Sequence, residues 1–457
     1  MLKHFGKKLA ALALGATLCL TQAGCSFSGL DAQNLMSPPR ANLEQQGIYE
    51  LLQGDQQELT FVYPKRGEYR SAIILHDWSG DGISDVVGFV TPDAGGVEVY
   101  FLEKQDDRWR TAASFVNTAT QVDLVCFGDV NGDGKDDVLI GWGSASGTTG
   151  RTAAVSAYLY QDGNMTEYPL GTYGEMTVTD FDGDGVSEVF TVDKYLAADE
   201  EGAEALPALA RVYAWEEDSL YELYTASADN SITSYTSIQF GKLGGGLTGV
   251  TVDGAKADGS MTTQVFYLEN GILKNGPPGV NSETYQNPFS RSSAAVFVSQ
   301  DINGDGLLEI PVTTRLPGLP EGVVLDSTCY LVEWSHFQSP SDYKPVLTTL
   351  MNVGENYWFT LPDSLVGQIS ASNNTSTRTV TYTQVVTGED GSQLLGSPLF
   401  SIRVFTRSAW DSRGETSGYE QLAAQGDLVY GIQTLTQDEA HLRAIARIKK
   451  QFHVTVE

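Results

Sequence analysis

The chain has 457 residues, of which 41% are hydrophobic and 19% are charged. That size and composition suit a globular protein with a sizeable core and two or three domains. Its 28 basic and 58 acidic residues give a formal net charge of −30 at pH 7. Such a field repels nucleic acid and attracts divalent cations, so we expect calcium-like cations and no nucleic acid among its partners.

The first 24 residues have the pattern of a secretion signal. A basic start, MLKHFGKK, precedes the apolar run LAALALGATLCL and the segment TQAGC. The run is too short to span a bilayer. The pattern resembles a bacterial lipoprotein signal, which is cut before a lipid-modified cysteine, here Cys25; an ordinary secretory signal is the alternative. We predict a signal peptide over residues 1–24, lipidation of Cys25, and anchoring to the outer face of the bacterial cell membrane.

Residues 25–58 have the composition of a tether between the lipid and the folded part. The segment is polar and contains a Pro-Pro pair, which stiffens an extended chain. A short helix is expected near its end, around Leu43 to Leu52.

A nine-residue motif then recurs along the chain. Its four copies are DWSGDGISD from Asp77, DVNGDGKDD from Asp129, DFDGDGVSE from Asp180 and DINGDGLLE from Asp301. The first three copies start about fifty residues apart, and the gap between the third and the fourth is about twice as long. This spacing predicts a worn copy, one that has lost the motif residues, between the third and the fourth. FGKLGGGLTGVTVDG, from Phe240, fits that place with glycines where the carboxylates stood.

Each repeat unit predicts four antiparallel strands. Runs of β-branched and aromatic residues alternate with turn residues, as in YRSAIILHD, SDVVGFVTP, GVEVYFLEKQ and RWRTAASFV of the first unit. A period of about fifty residues with four strands is typical of propeller blades, and tandem independent hairpins are the alternative. We therefore predict a mainly β fold with a β-propeller of about five recognisable blades over residues 59–350.

Residues 351–457 lack the repeat and predict a small α+β domain. Strand-like runs such as TRTVTYTQVV and PLFSIRVFTR precede a closing helix. Thr436 and Glu439 have the spacing of a capping box at its start, and Leu442, Ile445 and Ile448 lie near one face.

The nine-residue motif predicts a calcium loop of an unusual kind. A helix-loop-helix site needs a carboxylate at position twelve and flanking helices, and the motif has neither. Positions one, three, five and nine can instead supply side-chain oxygens and position seven a carbonyl, because alternate residues of an extended turn point the same way. An acidic turn that binds no cation is the alternative. The predicted ligands of up to four Ca²⁺ ions are Asp77, Ser79, Asp81, Ile83 and Asp85; Asp129, Asn131, Asp133, Lys135 and Asp137; Asp180, Asp182, Asp184, Val186 and Glu188; and Asp301, Asn303, Asp305, Leu307 and Glu309.

These loops resemble the FG-GAP or VCBS repeat, the calcium-loop propeller repeat of integrin α-subunits and bacterial surface proteins. FGDVNGDGKDDVLIG is the nearest match, and the resemblance covers roughly residues 66 to 347. It implies a calcium-loop β-propeller lipoprotein at the cell surface.

Three functions remain open at this stage. The first is a non-catalytic scaffold that binds a surface protein or a glycan. The second is a secreted polysaccharide-active enzyme, which the sequence disfavours because no histidine has a catalytic or metal-binding spacing. The third is a calcium-responsive sensor or assembly factor, which differs from the first in calcium affinity. Cys126 and Cys329 are expected either to pair or to remain buried thiols.

Overall fold

The computed structural model describes residues 43–455 except 55, 57, 144–152, 199–201, 203 and 320–328. The predicted signal peptide, Cys25 and most of the tether lie outside the described residues. No helix in the part of the chain that the structure describes is long and apolar enough to cross a membrane.

The fold is mainly β, with six antiparallel sheets of four or five strands, an arrangement consistent with a propeller. Sheets 1, 2 and 3 contain β1 (Ile73–His76), β2 (Asp85–Val90), β3 (Val97–Gln105) and β4 (Arg108–Asn117); β5 (Gln121–Gly128), β6 (Asp137–Gly143), β7 (Ala154–Gln161) and β8 (Asn164–Thr172); and β9 (Glu175–Thr179), β10 (Glu188–Val192), β11 (Leu209–Glu216) and β12 (Ser219–Ser227). In each of these three sheets the strands are neighbours in chain order.

Sheets 4 to 6 each gain a fifth strand. They contain β13 (Ile232–Lys242), β14 (Thr248–Lys256), β15 (Ser260–Glu269), β16 (Ile272–Gly276) and β17 (Arg291–Ser292); β18 (Glu309–Thr314), β19 (Cys329–Ser339), β20 (Asp342–Asn352), β21 (Tyr357–Thr360) and β27 (Phe452–Val454); and β22 (Ile369–Asn374), β23 (Thr379–Thr387), β24 (Gln393–Thr406), β25 (Glu420–Gln425) and β26 (Leu428–Thr434). The α-helices are α1 (Leu43–Gln53), α2 (Arg407–Arg413) and α3 (Glu439–Lys450). The worn fourth repeat thus forms the first two strands of sheet 4.

The sheets stack in chain order because inner strands such as β2, β6 and β10 bury both of their faces. In β6, Val138 and Ile140 pack with sheet 1, whereas the intervening Leu139 packs with sheet 3. Further hydrophobic clusters join sheets 3 and 4, sheets 4 and 5, and sheets 5 and 6. Successive side chains of a strand point to opposite faces. A strand that buries both faces is therefore a continuous apolar run and does not alternate between apolar and polar residues.

Helix α1 covers the outer face of sheet 1. Ile48 and Leu52 of the helix pack against Val86, Val90 and Leu102, while the other face of the sheet meets sheet 2. Leu52 lies so close to the backbone that a Cβ at Gly88 would come 2.7 Å from its Cδ2 atom. Among the described residues, no hydrophobic cluster joins sheet 1 to sheets 5 or 6. The predicted helix is therefore present, and it occupies the face that another sheet would cover in a closed ring.

The C-terminal region continues the stack instead of starting after residue 350. Strand β21 pairs with β20, and the terminal strand β27 pairs with β21, so both belong to sheet 5. The boundary predicted between residues 350 and 351 consequently falls inside this sheet. Ile445 and Ile448 of α3 are buried in the core between sheets 5 and 6.

The cap of α3 differs from the predicted capping box. Asp438 is the N-cap residue, and its Oδ1 accepts hydrogen bonds from the amides of Ala440 and His441. Thr436, predicted as the N-cap, lies two residues before it and accepts from the amide of Asp438. Leu442, predicted on the buried face, is 38% exposed.

Cys126 and Cys329 do not form a disulfide in this structure. They lie in sheets 2 and 5, respectively. Burial raises the pKa of the Cys126 thiol to about 12, which makes it unreactive.

Candidate metal centres

The four motif loops share one conformation. The first three precede the second strands of their sheets, β2, β6 and β10, and the fourth precedes β18, the first strand of sheet 5. In every loop the aspartate at position one accepts hydrogen bonds from the amides of the glycines at positions four and six; these bonds are Gly80 and Gly82 to Asp77, Gly132 and Gly134 to Asp129, Gly183 and Gly185 to Asp180, and Gly304 and Gly306 to Asp301. All eight glycines have φ between 74° and 95°, a region that side chains disfavour. The glycines of the motif are thus required by the turn itself.

The aspartate at position five forms the hydrogen bond that fixes the second half of each loop. Its carboxylate accepts from the amide at position seven in all four copies, at Ile83, Lys135, Val186 and Leu307. These short-range bonds orient the aspartates at positions one and five within the loop.

The carboxylate at position nine is the buried member of each loop. Asp85, Asp137, Glu188 and Glu309 are between 0 and 4% exposed, and each accepts one backbone amide from position two or three of its own loop. Burial, followed by the other loop carboxylates, raises the pKa of Asp85 to about 6, of Glu188 to about 7 and of Asp137 to about 8. Removing these charges from water is unfavourable unless a proton or a cation compensates them.

Among the residues that the structure describes, two clusters of ligand atoms are close enough to hold a metal ion. In the third loop, oxygens of Asp180, Asp182 and Glu188 lie within 4.8 Å of one another. This set contains only carboxylates and fits a hard cation such as calcium. Asp184, also predicted as a ligand, is not part of this cluster.

The second cluster contains a residue that sequence reasoning missed. Nε2 of His336 lies 2.7 Å from Oε1 of Glu309 and 3.6 Å from Oδ2 of Asp305. The histidine reaches the fourth loop because strand pairing places it directly opposite Glu309. Of the predicted ligands here, Asp305 and Glu309 come together with His336, while Asn303 donates its amide to both of those carboxylates.

The first two loops have the shared fold but no such cluster among the described residues. Their predicted ligands Asp77, Ser79, Asp81 and Asp85, and Asp129, Asn131, Asp133 and Asp137, are placed by the same backbone bonds.

Successive loops contact one another along one side of the stack. The amide of Ser187 donates to the carbonyl of Asp129 over 2.8 Å, which joins the third loop to the second. His76, next to the first loop, hydrogen-bonds Asp136 of the second over 2.8 Å. Neighbouring loops are thus linked by direct hydrogen bonds.

The worn loop of sheet 4 serves a packing role. Its glycines Gly244 and Gly245 lie against β19 of sheet 5, where a Cβ on Gly245 would be 2.4 Å from the carbonyl oxygen of Gln338. Gly245 also has a φ of 67°. Loss of the carboxylates at this position therefore accompanies a close contact between sheets 4 and 5.

The raised carboxylate pKa values predict a pH-dependent stability for the calcium-free chain. The folded state holds protons that the unfolded carboxylates lose near pH 4, so its stability should fall as the pH rises from about 5 to 8. Thermal melts in chelator across this range measure the fall, and calcium should reduce it. Asp137→Asn should flatten the profile; an unchanged slope in that variant would contradict the role of Asp137.

Comparisons with known proteins identify no family. The sequence matches no protein-family model and no curated protein. Among solved structures, the chain is similar to an exo-β-1,3-galactanase from Phanerochaete chrysosporium with galactose, at 8% identity and a TM-score of 0.27, covering 82% of this chain and 90% of that one. A variant of that enzyme with β-1,3-galactotriose gives 9% identity and a TM-score of 0.28, covering 77% and 80%. The resemblance is distant, and scores this low carry no information about activity.

Proposed function

We propose that this protein is a calcium-stabilised propeller of the FG-GAP/VCBS type that serves as a non-catalytic binding scaffold at the bacterial cell surface. The observation that carries the proposal is the common conformation of the four loops, each with a buried carboxylate at position nine. A cation at that position would remove the cost of burying the charge and would hold the loop to the strand that follows it. Calcium then has a structural role, and the ligand of the scaffold is a protein or a glycan.

Calorimetric titration of calcium into the chelator-stripped chain tests the metal part of this proposal. We expect about four sites, with the third loop strongest because it has four carboxylates. The fourth loop should also accept zinc, because the His336 nitrogen joins its carboxylates there. Absence of calcium binding at millimolar concentration would reduce the loops to acidic turns and end the proposal.

The lipid anchor is tested by cell fractionation. Cys25→Ala removes the thiol that would carry the lipid, so the variant should move from the membrane fraction to the medium. Cys19→Ala, in the apolar part of the signal, is the matched control and should stay with the membrane. Membrane retention of Cys25→Ala would contradict the anchor and leave the calcium proposal untouched.

A further inference from the structure

The described residues line an open, polar cavity of about 690 Å³ beside the first strands of sheets 2, 3 and 4. Side chains from β5, β9 and β13 line it, together with the chain that enters sheet 1. A volume of this size holds a ligand the size of a di- or trisaccharide. The loops described above lie elsewhere, at the far ends of these strands.

A network centred on Arg66 forms one wall of the cavity. Its Nε and Nη2 atoms donate to Asp123 at 2.9 and 2.7 Å, Nη1 donates to Glu175, and Nη2 also donates to the carbonyl of Gly174. The hydroxyl of Tyr173 donates to Asp123 over 2.7 Å. Burial alone would lower the pKa of Arg66, but these hydrogen bonds outweigh it and raise the pKa, so the guanidinium stays charged.

The network is built by the backbone as well as by side chains. Strand β5 has a register shift between Val122 and Leu124, which leaves Asp123 as an extra residue that lines the cavity. Strand β13 has a similar register shift between Tyr235 and Ser237, and Thr236 at that shift also lines the cavity. Bulges of this kind redirect a side chain out of the regular alternation and are frequent beside binding sites.

Lys194 also lines the cavity, and the other charges there are paired within the protein. Arg66 holds Asp123 and Glu175, and Arg211 holds the third carboxylate, Asp193. Among the described residues, at least four of the five N–H groups of Arg66 have partners, so it has little capacity for a two-pronged bond to a carboxylate or phosphate. The net charge of −30 also opposes anionic ligands.

Paired carboxylates nevertheless retain acceptor positions, because an ionised carboxylate has about four lone-pair sites. Amide and hydroxyl side chains supply further groups around them, from Gln121, Ser234, Thr236 and Gln239. A hydroxyl both donates and accepts, so a ligand rich in neighbouring hydroxyls can use this mixture without a charge of its own. We infer that the cavity binds a neutral oligosaccharide, an inference that deepens the scaffold proposal and rests on it for the absence of catalysis.

The test uses the calcium-loaded full chain and a panel of neutral trisaccharides: maltotriose, cellotriose and chitotriose. Calorimetry or saturation-transfer NMR should detect at least one of them, with trigalacturonic acid at least tenfold weaker. Thr236→Trp fills the cavity from an exposed position on β13 and should weaken binding at least tenfold. Thr233→Trp is the matched control, since Thr233 is also exposed on β13 but does not line the cavity.

Three results would overturn the inference: no binding by any neutral trisaccharide, equal binding of trigalacturonic acid, or full affinity in Thr236→Trp. Thermal melts of both tryptophan variants serve as the control for folding. Calcium titration of the same sample separates the two proposals. Calcium binding without sugar binding removes the oligosaccharide site alone, whereas sugar binding without calcium binding removes the calcium scaffold alone.

Discussion

Saturating calcium should raise the melting temperature of the chelator-stripped chain by about 10 °C or more. A cation at one hundred times its dissociation constant contributes about 2.7 kcal/mol per site, so four sites give on the order of 10 kcal/mol. The physical cause is the buried carboxylate of each loop, which is unfavourable without a proton or a cation. Differential scanning calorimetry with and without chelator measures the shift.

Asp182 offers a sharp variant for this experiment because it is exposed yet belongs to the carboxylate cluster of the third loop. Asp182→Ala should melt with the unmodified chain in chelator and several degrees lower in calcium. Asp182→Asn should lose less, since asparagine stands at the same position in the second and fourth loops, as Asn131 and Asn303. Asp218→Ala, an exposed charge in the turn between β11 and β12, is the control outside the loop. An equal loss for Asp182→Ala in chelator and in calcium would contradict a ligand role.

Arg291→Met should destabilise the chain by about 3–5 kcal/mol, because it leaves a buried carboxylate without its partner. Arg291 and Asp253 form an ion pair whose side chains are both 0% exposed. The guanidinium also donates to the carbonyls of Phe289 and Phe297, which fastens the segment after β16 onto sheet 4. Urea unfolding gives the free energy directly.

Two further variants isolate the cause. Replacing both partners, with Arg291→Met and Asp253→Leu together, should recover part of the lost stability, because no uncompensated charge remains. Arg378→Met is the matched control: its ion pair with Glu355 has side chains 38% and 16% exposed, and we expect a loss of at most about 1 kcal/mol. Equal losses in Arg291→Met and Arg378→Met would show that burial of the pair is not the source of its effect.

The sequence predicts local features of this fold well, because the residues that determine each feature are adjacent in the repeat. The glycines of the loop, its alternating carboxylates and the strand that follows are all within one nonapeptide, and the structure places them together. Helix α1 was predictable for the same reason. Whether the loops hold calcium remains a prediction.

Features that depend on contacts between residues far apart in sequence were not predicted. His336 joins the fourth loop through strand register, 27 residues away from Glu309. Arg66 reaches Asp123 and Glu175 over separations of 57 and 109 residues, and a bulge places Asp123 in the cavity. The predicted boundary near residue 350 lies inside sheet 5, to which β27 is added by pairing with β21. Side-chain patterns carry no signal for such long-range partners.

Helix α1 has a consequence for how proteins of this design can vary. A ring fixes its number of sheets, since adding one forces every angle between neighbours to change. In this chain a helix, with Ile48 and Leu52 facing Val86 and Leu102, ends the series at sheet 1. A whole repeat unit could then be inserted or deleted on the C-terminal side of helix α1, because each sheet packs only against its two neighbours. Such a chain can grow or shorten in steps of about fifty residues, and the length of the protein becomes adjustable without redesign of its core.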